Sequence, residues 1–115
     1  RNQVDRAKIN LERANIAEQQ AKLDLEALVY RAYTDAEGSK VAYASALKTL
    51  EARRTAFEYS QERYNVGLLN GFDFEQSRQQ VVSAANQVIQ SKYQYIFNLK
   101  VLELYFGIPI NELRL

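Results

Sequence analysis

Four carboxylates stand in closely spaced pairs, Asp24 with Glu26 and Asp35 with Glu37. Paired carboxylates can share acid–base work when they face one cleft. On a helix, residues two apart do not share a face, so these four read as solvated surface. The chain has no His and no Cys. That excludes Ser-His-Asp and Cys-His nucleophilic sites, Cys/His zinc sites and the Glu-x-x-His di-iron motif of helical bundles. It also excludes a disulfide framework. Gly67 and Gly71 lack the Lys-Ser/Thr that follows a phosphate-binding loop. No enzymatic activity, cofactor or metal is expected.

Charge narrows the partners. Fifteen basic and 14 acidic residues leave a net charge of +1, and the signs are interspersed. A nucleic-acid surface needs a basic cluster, and none is visible. No apolar run is long enough for a transmembrane helix. Gln and Asn recur at Gln19, Gln20, Gln79, Gln80, Asn86 and Gln87. They suit wet helix faces, either as plain polar surface or as the lining of a water-filled tube.

What could position these residues is set by the punctuation. From Arg1 to about Asn65 there is no Pro, and the only Gly is Gly38. Good helix formers dominate this stretch. Two Gly and two Asn then fall within Asn65-Val66-Gly67-Leu68-Leu69-Asn70-Gly71, which marks a turn. A second Gly-free and Pro-free stretch runs from about Phe72 to Phe106, with Gly107 as C-cap and Pro109 behind it as a stop. Asp73 with Gln76 fits a capping box at the second start, and Asn70 competes as N-cap. The expected fold is all-α: one long antiparallel helical hairpin, with a first helix over about 1–65 and a second over about 72–106. At 1.5 Å per residue the two would measure roughly 97 and 50 Å. Only half of the long helix can then be covered by the short one.

Spacing tells how the helices pack. Phe74, Val81, Val88, Tyr95 and Leu102 recur every seven residues, followed at three by Ser77, Ala84, Ser91, Asn98 and Tyr105. In the first helix Ala36, Tyr43, Leu50, Phe57 and Tyr64 do the same, with Ser39, Ala46, Arg53, Ser60 and Gly67. Such heptads imply coiled-coil packing of knobs into holes. Upstream the register changes. Val4, Leu11 and Leu25 share one position and Ala7, Ala14, Ala21 and Leu28 the next, and a four-residue step from Leu28 to Ala32 forms a stutter. A further series, Ile9, Ile16, Leu23 and Tyr30, lies about 140° around the helix from the first. Two seams on one helix call for two neighbours. The unpaired half, roughly Arg1 to Val29, exposes Val4, Leu11, Ile16, Leu23 and Leu25, so the chain is expected to self-associate. The opening Arg1 and the absence of Met suggest a fragment of a longer protein.

Two segments carry a resemblance. Arg63-Tyr64-Asn65-Val66-Gly67-Leu68, then Asp73-Phe74-Glu75-Gln76-Ser77-Arg78, resembles the helix–turn–helix tip of TolC-family outer-membrane efflux proteins. The family pattern is an aromatic, Asn or Ser, Val-Gly-Leu or similar, then Asp-Val. Tyr93-Gln94-Tyr95 through Leu104-Tyr105-Phe106-Gly107 resembles the family's closing segment. The likeness covers about residues 1–109.

The resemblance implies a trimer in which each protomer gives strands to an outer-membrane β-barrel and two hairpins to a periplasmic α-barrel. Residues 1–115 would be one hairpin without the strands, and the second of the two, because Gly107-Ile108-Pro109-Ile110 resembles a chain terminus. The implied function is export of small molecules or proteins from the periplasm of a Gram-negative bacterium, with a periplasmic adaptor and an inner-membrane pump. The competing reading is a structural coiled-coil hairpin of the adaptor itself, whose helices would be of similar length. By position, Val66, Gly67 and Leu68 match the tip that meshes with the adaptor. Gly67 either admits a partner helix or only supplies a positive φ. Tyr64 and Asp73 match the closed periplasmic gate, and Asp73 is equally a helix cap. Leu69 stands where a gate Arg can occur and Gln76 where a second Asp can occur, which would weaken the gate's ionic links.

Overall fold

A computed structural model of the chain describes residues 1–107. Helix α1 runs from Asn2 to Asn65 and helix α2 from Gly71 to Phe106, and the described residues contain no strand. The expected boundaries hold to within a residue. The expectations about Pro109 and Ile108–Ile110 lie outside the described residues.

The molecule measures 97 × 28 × 13 Å. The last figure is close to one helix diameter, so the hairpin is a layer two helices wide and one helix thick. A two-helix layer can bury only a stripe. That stripe follows the predicted seam: Ala32, Ala36, Ser39, Ala46 and Leu50 of α1 against Ala84, Ser91, Tyr95, Leu99 and Leu102 of α2. Small residues dominate the α1 side, which lets the backbones approach. Tyr43 faces Tyr95 with ring centroids 6.3 Å apart. Among the described residues no large side chain is fully enclosed.

The seam has polar pins. Asn98 Nδ2 donates to the Asp35 carbonyl at 3.1 Å and to Ser39 Oγ at 3.0 Å, and the buried Ser39 hydroxyl donates in turn to the Ala36 carbonyl. One polar residue in an apolar seam specifies register, because a slipped alignment leaves its hydrogen bonds unmade. At Arg53 the heptad pattern departs from expectation. The side chain is exposed, and its Nη1 donates to Gln80 Oε1 at 3.2 Å across the helices. Tyr64 and Tyr105, also on the predicted heptads, are exposed at the seam's two ends.

Pairing stops where α2 stops. Every residue from Arg1 to Leu28 is exposed, and the first partly covered residue is Val29. Val4, Leu11, Ile16, Leu23 and Leu25 are all uncovered. No described helix is long and apolar enough to cross a membrane.

Candidate functional site

Among the described residues, the tip is the one place where a helix gives way to a turn between α1 and α2. Helix α1 ends because Gly67 adopts φ +80°, a left-handed conformation that L side chains rarely take. Two hydrogen bonds close the end. Leu68 N–H donates to the Arg63 carbonyl at 2.8 Å, and Gly67 N–H donates to the Tyr64 carbonyl at 3.1 Å. This is the Schellman pairing of a helix C-terminus. A Cβ built on Gly67 would meet nothing within 4 Å. Within the hairpin, then, glycine is required by its φ and not by crowding.

Helix α2 starts on Asn70, not on a capping box of Asp73 with Gln76. The Asn70 side chain accepts from Asp73 N–H at 2.7 Å, which satisfies one orphan donor of the first turn. Asp73 sits at the third helical position, and its Oδ2 accepts from Asn70 Nδ2 at 3.1 Å. Asn70 wins because its amide offers both an acceptor to the backbone and a donor to the carboxylate. Asp73 also lies where the helix dipole favours a negative charge. It is therefore held in place by the cap without being the cap.

Three aromatic rings join the ends of the helices. Tyr64 stacks on Phe74 at 4.5 Å with 10° between planes, and Phe57 stacks on Phe74 at 5.4 Å with 27°. Beyond them Val66, Leu68 and Phe72 are exposed, Phe72 at 78%. Exposed apolar side chains gathered at a turn are suited to contact with a partner. The Arg63 guanidinium lies 5.7 Å from the centre of the Tyr59 ring. Arg78 makes a forked pair with Glu75 at 2.9 Å. That hydrogen bond, then the carboxylate's charge, raises the Arg78 pKa further above neutrality. Both partners are exposed, so the pair adds little stability.

The structure thus gathers all five tip residues singled out by sequence, Tyr64, Val66, Gly67, Leu68 and Asp73, around one turn. Sequence reasoning placed Phe74 in the tip segment and on the α2 heptad but gave it no role there, and it ranked Asn70 only as a competitor. Leu69 is half-buried. Gln76 is exposed.

The flanks of the hairpin differ. Lys40, Tyr43, Ala44 and Leu47 with Lys92, Tyr95 and Ile96 line a shallow groove between the helices. Leu25, Val29, Tyr30 and Tyr33 form another with Phe106, where α2 ends. Gln80, Gln87 and Gln94 follow one another at heptad spacing with Gln76, Ser83 and Gln90 beside them, all exposed and none charged. Among the described residues no group of His, Cys, Asp or Glu could hold a metal ion.

The sequence model of the family described as outer membrane efflux protein matches residues 1–107. No curated protein and no solved structure matches the chain.

Proposed function

The chain belongs to the outer membrane efflux protein family, a family of transport channels, and from that premise we propose that it is one hairpin of a trimeric channel's periplasmic α-barrel. The observation that carries this reading is the mismatch of the helices. A 64-residue α1 faces a 36-residue α2, and the surplus of α1 carries uncovered apolar residues. Such a helix needs neighbours beyond its own hairpin, as in a ring of helices. The unequal lengths, with the family match, speak against an adaptor hairpin of two similar helices.

In the proposed assembly the tube does no covalent chemistry and contributes no enzyme site. The uncharged amide stripe from Gln76 to Gln94 faces water, where each amide can both donate and accept. The apolar grooves pack against neighbouring helices. Val66, Gly67 and Leu68 dock the hairpin tip of a periplasmic adaptor, which couples the channel to an inner-membrane pump in a Gram-negative cell. Tyr64 and Asp73 from three protomers form the periplasmic gate. Asp73 is the gate carboxylate, with Leu69 and Gln76 uncharged beside it, so the gate's ionic links are weaker than they would be with an Arg and a second Asp at those positions.

The test is a cysteine pair, one at Leu68 and one at the adaptor's hairpin tip, assayed for crosslinking in cells. Crosslinking at Leu68 is expected. No crosslink at any position from Val66 to Asn70, with export intact, would show that the adaptor docks elsewhere.

A further inference from the structure

We infer that Phe74 is the positioning residue of the tip: its ring, wedged between Phe57 and Tyr64, holds Tyr64 in place and ties the last turns of α1 to the first turn of α2. Phe57 and Tyr64 are seven residues apart on one helix, about 10.5 Å along its axis. The two ring separations, 5.4 and 4.5 Å, together span nearly that rise. Phe74 therefore fills the gap between them as a knob fills a hole. Both contacts are stacked, and stacked rings hold one another beyond what their buried area contributes. The stack sits directly below the turn. Tyr64 supplies the carbonyl that accepts from Gly67 N–H, and Phe74 N–H donates to the carbonyl of the cap residue Asn70 at 3.1 Å.

One ring thus reaches both ends of the Asn65–Asn70 connection. An aliphatic side chain at this position has no ring face to offer Tyr64, so the stack depends on the aromatic. The consequence is a tip whose two helix ends move together. For the gate this places Tyr64 against its own hairpin, with Asp73 held by Asn70 one residue before Phe74. The functional part rests on the proposed gate role of Tyr64.

The experiment compares the 115-residue chain with Phe74→Leu, which keeps apolar bulk without a ring, and Phe74→Tyr, which keeps the ring. Amide hydrogen exchange is read at Val66, Gly67 and Leu68, with the amides near Leu50 and Val88 as internal reference. Phe74→Leu should speed exchange at the turn about two- to tenfold relative to the reference, and Phe74→Tyr should leave it near the parent rate. Equal acceleration at the turn and the reference would overturn the inference, because the ring would then serve only the seam as a whole. So would a Tyr variant that behaves like the Leu variant, or no change in either. The same substitutions in the complete efflux protein, read as uptake of a normally excluded solute, separate the two claims. If turn exchange rises with Phe74→Leu and uptake does not, Phe74 positions the tip and Tyr64 is not the gate.

Discussion

Gly67 carries two demands that a substitution series can separate. Its φ of +80° penalises any side chain, while the space around its Cβ is open. Gly67→Ala should therefore lower stability by about 1 kcal/mol, measured by thermal or urea unfolding. Gly67→Asn should cost less, since Asn tolerates the left-handed region. If the proposed adaptor contact is close, Gly67→Asn in the complete protein should keep the fold and lose export. Export at the parent level with Asn would mean that the turn alone needs the glycine. Asn70 offers a parallel case. Asn70→Ala should cost about 1 kcal/mol through the lost cap. Asn70→Ser should recover most of that stability while releasing the Asp73 carboxylate, because the short Ser hydroxyl can accept from Asp73 N–H but lacks the separate amide nitrogen that reaches Asp73 Oδ2.

Among the helices themselves, two positions separate stability from specificity. Gly38 lies in mid-α1 with nothing within 4 Å of a built Cβ. Gly38→Ala should stabilise the hairpin by about 1 kcal/mol, read as a rise in the urea midpoint. An unchanged or lowered midpoint would show that a partner in solution packs onto that glycine. Asn98 is the other position. Its bonds to Asp35 and Ser39 fix which residues of α1 face which residues of α2. Asn98→Leu should hold or raise stability while broadening the alignment, as expected when a register-setting polar group leaves an apolar seam. Spin labels on Leu47 and Ile89 would report this as a wider distance distribution. A single narrow distance would assign the register to the turn and the aromatic stack instead.

For the molecule as a whole, a layer one helix thick cannot enclose large side chains. The first 28 residues are all exposed, with Val4, Leu11, Ile16, Leu23 and Leu25 among them. The 115-residue chain should associate at micromolar concentration. Sedimentation showing a strict monomer at high micromolar concentration would refute this. Association should weaken when Leu11 and Leu25 are changed to Gln, with helicity in Asn2–Asn65 falling alongside, because so long an uncovered helix depends on packing more than on propensity.

The sequence by itself determines the hairpin. Long Pro-free runs, a cluster of Gly and Asn between them and heptads on both sides leave few other folds, since local propensity and apolar spacing act through the chain's own neighbours. The turn that holds Tyr64, Val66, Gly67, Leu68 and Asp73 is legible for the same reason, since a break in two long helices is visible as composition, whereas the roles expected of those residues came from the family resemblance alone. Three features needed the tertiary structure. Asn70, not Asp73 with Gln76, caps α2, because two cap patterns overlap in sequence and only the backbone entering the helix chooses between them. Arg53 leaves the seam for Gln80, because whether a heptad position is filled or bridged depends on the residue opposite. Phe74 joins Phe57 and Tyr64, because which α1 heptad positions an α2 residue meets is decided only once the turn has set the register of one helix against the other.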